Sequence, residues 1–502
     1  MDSHDRDLIF AKVGTYPHPL EDNRPHLYNP VTGQIASPEV NVADSIEIGE
    51  KMEREFVASL PDGFYNAISS PIKTMFALKG QAKGTKNRPV VDLETIFLRL
   101  LMIGQQRKIE LGPLFAYELC AVPPALIDGQ GCLRKGNKSS LVKRLGVVDI
   151  SPKPADTLIV DVSQLFYHMI WPHGGIPSDL VASIEERLGN YPDATMKIVV
   201  FDKYQDISAK DHERMHRANE VVIDYDFSIT SHLPKRDVIM KSKSNKQKLA
   251  SVLATFNLGE TVRMETLDDG MFGHDEADVT MVSFVLQAAQ SGQNTIRVLS
   301  DDTDVFVLLV YWVNRADLQC KVQMERWDGS VLDINATCAY LGQKCLQLPG
   351  MHALSGCDTT SYPYGKGKIT ALNTMISGDY PGLATLGDIG RTHQDLMDAT
   401  LPFFVALYGQ PPRTSMESAR FSLFTKKKKN PKVMALPPTS ANLLQHKLYF
   451  GLIFKSCCGK LLIAKVLLMS QQISRSMGGK FEMTFQFRSL LQVIQLHLSC
   501  LT

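Results

Sequence analysis

From Thr157 to Leu299 short apolar runs of β character alternate with helix-patterned segments, and this alternation restricts the possible folds more than any other feature of the chain. Thr157-Leu158-Ile159-Val160 and Lys197-Ile198-Val199-Val200-Phe201 have strand length and β-branched content. Ala277 to Ala289 carries a helical pattern, and Thr295-Ile296-Arg297-Val298-Leu299 returns to the β type. Strands separated by helix-length segments imply βαβ crossovers, and so a mostly parallel sheet with helices on its faces. The expected fold class is α/β, with a mostly parallel central sheet flanked by helices and helix-rich regions before and after it. In such sheets functional groups collect just beyond the carboxyl ends of the strands.

The proline-punctuated Ser151-Pro152-Lys153-Pro154 precedes the first of these runs and marks a domain boundary, which places the core at residues 151–375. Residues 1–42, rich in Pro, His, Asn and Asp, read as a weakly ordered leader. Residues 43–150 read as a helix-rich N-terminal region, with apolar residues at helical spacing in Ile46, Ile48, Met52, Phe56 and Leu60 and again from Leu93 to Leu101. Residues 376–448 read as a helical C-terminal region interrupted at Lys426-Lys427-Lys428-Lys429 and at Leu436-Pro437-Pro438; residues 449–502 form a tail of different character.

At 502 residues and 44% hydrophobic content the chain has room for more than one domain and enough apolar side chain to fill a substantial core. A formal net charge of +1 means that any surface attracting nucleic acid must be local. The nine cysteines form no CxxC pair and no Cys/His quartet, which indicates neither a disulfide framework nor a zinc finger and points to a reducing, intracellular setting, nucleus or cytoplasm. The acidic, polar start Met1-Asp2-Ser3-His4-Asp5 is not a secretory signal. No uninterrupted apolar run reaches membrane-spanning length; Val305 to Val313 reads as a buried helix, so no membrane partner is expected. The tetralysine run suits a nuclear signal or a solvated loop, and the loop is the preferred reading.

Carboxylates stand at the ends of these elements. Asp161 follows the first strand run directly and Asp202 the second. Glu276 and Asp278 open the helix that begins near Ala277, and Asp301, Asp302 and Asp304 follow the third strand run. Asp358 lies further on, in Ser355-Gly356-Cys357-Asp358. Taken singly, each suits a strand-end turn or a helix start, where the macrodipole favours negative charge. Taken in order they deliver many acids to one sheet edge, where mutual repulsion calls for divalent cations. All-oxygen ligation selects Mg²⁺ or Mn²⁺ and not zinc. Two such ions about 4 Å apart suit phosphodiester cleavage of DNA or RNA.

At these positions the sequence resembles the PIN-like superfamily, in particular its flap-endonuclease branch of 5′-nucleases. The matching pieces are Val160-Asp161-Val162-Ser163, Val200-Phe201-Asp202, Asp275-Glu276-Ala277-Asp278, Ser300-Asp301-Asp302-Thr303-Asp304 and Ser355-Gly356-Cys357-Asp358. The resemblance implies one ligand group of Asp161, Asp202, Glu276 and Asp278 and a second of Asp302, Asp304 and Asp358, with Asp301 a variable acidic neighbour. It also implies a basic helix after Asp202 that holds the scissile phosphate. Lys203, Lys210, Arg214 and Arg217 occupy that stretch, with Lys210 and Arg214 preferred as catalytic residues; a solvated charged helix is the other reading. Gly365-Lys366-Gly367-Lys368 resembles the family's glycine-rich turn, whose backbone N–H groups contact DNA phosphates, and a plain turn ahead of a helix suits it equally. Lys241 to Lys248 falls where the family carries its strand-gating region. Outside the core the arrangement is also similar to a multi-copy group of animal proteins, from which no activity follows. The alternative from a different functional class is a PIN-like module that binds nucleic acid or protein without cutting.

Overall fold

The computed structural model describes residues 45–58, 112–118, 123–128, 132–201, 223–256, 258, 262–265, 277–357, 360–386, 392–426 and 433–443. Residues 1–74 and 75–502 form two separate compact units. Within the first, helix α1 (Ser45–Ala58) carries exposed i,i+4 pairs, Lys51 with Glu55 and Glu50 with Arg54, of the kind that contribute only tenths of a kcal/mol. The other described elements lie in the second unit.

Its centre is a six-stranded sheet of order β3-β2-β1-β4-β5-β6. The strands are β1 (Thr157–Asp161), β2 (Met196–Val200), β3 (Val262–Glu265), β4 (Thr295–Leu299), β5 (Lys321–Glu325) and β6 (Val331–Asp333). The first five are parallel and β6 pairs antiparallel with β5. This is the mixed α/β class with a mostly parallel sheet that the alternation from Thr157 onward predicts. Residues 151–154 form the irregular entry to β1, as the prolines require.

Alternation along the strands sorts side chains into two cores. Ile159, Ile198, Val200, Ile296, Val298, Val322 and Met324 face one helical layer, which includes α7 (Ala277–Gln290) and α8 (Thr303–Arg315). Leu158, Val160, Val199, Phe201 and Leu299 face the other, which includes α3 (Val162–His168) and α4 (Pro177–Gly189). Helix α8 is buried around its whole circumference, from Val305 through Val313, because further helices cover it: α9 (Ile334–Leu341), α10 (Leu348–Leu354) and α11 (Lys368–Ser377) all join the same core. The apolar run Val305 to Val313 is therefore a core helix. Among the described residues no helix is long and apolar enough to cross a membrane. Helices α12 (His393–Leu407) and α13 (Met416–Lys426) form the helical region after the sheet.

Around the stretch Lys241 to Lys248, α5 (Arg236–Lys241) and α6 (Lys243–Leu253) are folded against the second core. Ser242 caps α6, and the fully buried Asn245 accepts from the Tyr225 N–H and donates to the Ile223 carbonyl. Lys248 donates to the Tyr225 carbonyl at 3.0 Å, so that lysine is occupied by backbone.

The chain ahead of β1 is tied to the far sheet edge. Val148 bridges Leu332, the Asp149 N–H donates to Val331, and the Asp333 N–H donates to Val147. Lys321 joins the two segments, 2.6 Å from Asp149 and 3.5 Å from Asp333. The Lys321 hydrogen bond holds the Asp149 carboxyl below the usual range, and the same bond holds the Lys321 ammonium above its usual range. A depressed carboxyl pKa adds stability above the unfolded value and loses it as pH falls through the folded value. A raised lysine pKa adds stability below the unfolded value and loses it as pH rises through the folded one. The pair thus contributes most at neutral pH. Lys321→Met is expected to cost up to about 1 kcal/mol there, with the difference from wild type closing in strong acid and strong alkali, as urea unfolding across pH will report.

Candidate metal centre

Strand order reverses between β1 and β4: β2 and β3 extend the sheet on one side of β1, β5 and β6 on the other side of β4. Crossover connections diverge at such a switch point and leave a crevice beyond the strand ends. Val160 pairs in register with Leu299, so the chain leaves β1 at Asp161 and leaves β4 at Ser300-Asp301-Asp302 side by side.

Each acid here begins a helix. Asp161 is buried, 7% exposed, and caps α3 by accepting from the Ser163 and Gln164 N–H groups at 2.8 and 3.3 Å. Asp302 caps α8 by accepting from the Asp304 N–H at 2.8 Å, and Asp304 lies in that helix's first turn. Asp278 lies in the first turn of α7. Two helix N-termini therefore present their partial positive charge to the same crevice, which is why three half-buried carboxylates tolerate one another there.

Asp278, Asp302 and Asp304 each offer an oxygen, and these three atoms lie within 4.8 Å of one another. Asp278, expected in the first ligand group, thus stands with Asp302 and Asp304 of the second. Among the described residues Asp161 is not part of this close set; its side chain is turned onto the α3 amides. Asp301 points away as well, accepting from the Trp327 N–H and facing Arg326 at 3.3 Å. Asp202, Glu276 and Asp358 lie outside the described residues, as do Lys203, Lys210, Arg214 and Arg217.

Two partners of the acids were not legible as such. The Lys138 ammonium donates to Asp302 Oδ1 at 2.9 Å and to Asp304 Oδ2 at 3.1 Å. His352 Nε2 meets Asp304 Oδ1 at 2.8 Å. Burial, reinforced by the nearby Lys368 ammonium, pulls the His352 imidazole down to about 4, so it is neutral at pH 7. A neutral ring facing a carboxylate must carry its proton on Nε2, and Asp304 is oriented by that donor. Lys138 stands in the polar run Arg134-Lys135-Gly136-Asn137-Lys138, and His352 is a single polar residue in the otherwise apolar turn of α10. Neither carries a spacing signal.

The Lys138 ammonium is shared by two of these three carboxylates. Burial and the Asp304 carboxylate together push the Asp302 carboxyl above its usual range, against the pull of Lys138. The donor set fits a hard cation: oxygens across one such ion stand roughly 4–5 Å apart, twice a bond of about 2.0–2.6 Å.

The Gly365 to Lys368 turn divides. Gly365 adopts φ +69° and is exposed together with Gly367, and the Lys366 ammonium lies 5.0 Å from the Tyr408 ring centre. The Lys368 side chain turns inward: it is 1% exposed and donates to the His352 carbonyl and to Ser355 Oγ, closing the carboxyl end of α10, where free carbonyls attract a cation.

No protein-family model and no curated protein matches the chain. Among solved structures it is similar to the T5 D15 protein co-crystallised with metal ions, at 14% identity over 64% of this chain and 97% of that one, TM-score 0.35. It is similar to T5 5′-exonuclease with divalent metal ions (zinc) bound, at 14% identity over 58% and 99%, TM-score 0.31. A third likeness is to the catalytic core of Rad2 in complex with DNA substrate, at 13% identity over 66% and 95%, TM-score 0.29. Likenesses this distant add no weight to the site, whose chemistry rests on its own geometry.

His352→Ala removes the donor to Asp304 and opens a void beneath α10. It is expected to lower unfolding stability by roughly 2–3 kcal/mol, measurable by chemical denaturation in the presence of chelator.

Proposed function

We propose that this chain is a metal-dependent nuclease that hydrolyses phosphodiester bonds of DNA or RNA, built on a PIN-like core of the flap-endonuclease type. The observation that carries the proposal is the gathering of Asp278, Asp302 and Asp304 oxygens within 4.8 Å at the switch point of a parallel sheet. Oxygen-only donors favour Mg²⁺ or Mn²⁺ over zinc. Bound there, such a cation would polarise a phosphoryl oxygen and make an attacking water more acidic.

The chain's own residues prepare that chemistry. Asp302 is fixed by its cap to α8, and Asp304 is fixed from one side by His352. Asp161, Asp202, Glu276 and Asp358 complete the proposed ligand set for two ions. Lys210 and Arg214, supported by Lys203 and Arg217, are the proposed phosphate holders. The exposed Gly365 and Gly367 are the proposed backbone N–H donors to a second stretch of the polynucleotide, while the Lys366 N–H is already bonded to the Pro363 carbonyl.

The test uses the purified full-length chain with labelled flap, bubble, hairpin and linear substrates in Mg²⁺ or Mn²⁺. Cleavage is expected, and Asp302→Ala or Asp304→Ala should reduce it by more than the roughly 10–100-fold that losing an outer-shell partner of a metal site causes, with near-native circular dichroism retained. Intact substrate in every lane, from folded protein that binds Mn²⁺, would instead establish the non-cutting module. That second reading has an observation in its favour: Asp302 and Asp304 already have protein partners in Lys138 and His352.

A further inference from the structure

Lys138 reaches the acids from outside the sheet, from the turn that opens α2 (Ser139–Leu145), more than 160 residues away in sequence from Asp302 and Asp304. The turn is well fixed. Asn137 Oδ1 accepts from the Ser139 N–H and hydroxyl, Ser140 Oγ donates to the Asn137 carbonyl, and Leu141, Val142 and Leu145 are sunk in the main core. The backbone delivers Lys138 to one place, yet its side chain keeps 24% exposure and sits at the rim of the crevice, not beneath it.

Its ammonium bonds one oxygen of Asp302 and one of Asp304, two members of the set of three acids. A divalent cation bonded to those carboxylates would stand within roughly 3–4 Å of that nitrogen, where like charges repel strongly in a half-buried site. The four-carbon stem of lysine allows the ammonium to swing away while Cα stays fixed, a freedom that a planar, bidentate arginine has less of.

We propose that Lys138 is a displaceable counter-ion: it holds Asp302 and Asp304 together in the metal-free protein, yields to the incoming divalent cation, and then turns outward as a positioning residue for substrate phosphate. The inference rests on the metal-dependent reading above and adds to it a competition that the acids alone do not contain. Metal and ammonium are then rival ligands of one site, so each weakens the other by the same factor. Removing the ammonium must strengthen the metal while weakening the hold on phosphate, and these two effects have opposite signs.

The experiment measures Mn²⁺ binding to the full-length chain by calorimetry, without substrate, in wild type, Lys138→Gln and Lys138→Arg, together with single-stranded and flap DNA binding in Ca²⁺. Lys138→Gln is expected to bind Mn²⁺ about tenfold more tightly than wild type, within the usual range of coupling between two sites. It should also bind DNA several-fold more weakly and show a melting-temperature deficit in chelator that Mn²⁺ largely restores. Lys138→Arg should stay near wild type in DNA binding. Weaker or unchanged Mn²⁺ binding in Lys138→Gln, beside a wild type whose Mn²⁺ binding is abolished by Asp304→Asn, would overturn the counter-ion role and leave the metal site standing. Absence of Mn²⁺ binding in wild type and Lys138→Gln alike would overturn both readings. Should Lys138→Gln not fold, amine-reactive labelling of wild type decides: Lys138 modification, read by peptide mass spectrometry, is expected to rise on adding Mn²⁺, and an unchanged or lower rate rejects the proposal.

Discussion

The reversal of strand order between β1 and β4 is the constraint on which the candidate site depends. A parallel sheet must return each strand to its starting end, and the returning helices pack on its faces. Here the chain builds outward through β2 and β3 and then re-enters beside β1, so that the exits of β1 and β4 lie together while α3 and α8 leave in different directions. The helix starts need caps, and the strand ends supply Asp161 and Asp302 for that purpose. Capping and cation binding are not rival explanations of these acids. A carboxylate uses one lone pair on a backbone N–H and keeps others directed outward, and the same positive helix end that stabilises its charge holds it where several acids meet.

The cluster is held by residues from three segments distant in sequence. Lys138 arrives from the segment before β1, His352 from α10, and Lys368 from the start of α11 closes α10 behind His352. This nesting fixes protonation. With Lys368 so close and water excluded, His352 is kept neutral, and a neutral donor orients Asp304 without cancelling its charge. The arrangement orders the carboxylates and leaves their negative charge in place, which is what a site for a hard cation requires.

How much of this was legible follows from where the physical signal resides. β1, β2 and β4 announce themselves because a central parallel strand is buried on both faces and reads as an unbroken apolar run, as Leu158-Ile159-Val160 and Ile198-Val199-Val200 do. The outer strands did not. Val262-Arg263-Met264-Glu265 and Lys321-Val322-Gln323-Met324-Glu325 mix polar and apolar residues, and Val331-Leu332-Asp333 is too short for any periodicity. The acids were legible because strand ends are local in sequence. Lys138 and His352 were not, since each acts through a contact made only when distant segments fold together. The side-chain contacts of Lys368 were equally hidden: a lysine beside two glycines has the pattern of a phosphate turn, while its burial is set by the carboxyl end of α10, which the sequence around it does not reveal.

The same logic bears on where the functional unit starts. Composition places a boundary at Ser151-Pro152-Lys153-Pro154, and the sheet does begin just beyond it. Yet Val147 to Asp149 pair with β6, Leu141, Val142 and Leu145 fill the core on the α8 side, and Lys138 completes the charge arrangement at Asp302 and Asp304. A segment that contributes core volume, an edge contact and a cation to the crevice is part of the site's architecture. A core cut at the prolines would keep every acid and lose the Lys138 ammonium that bridges two of them, removing its relief of their mutual repulsion.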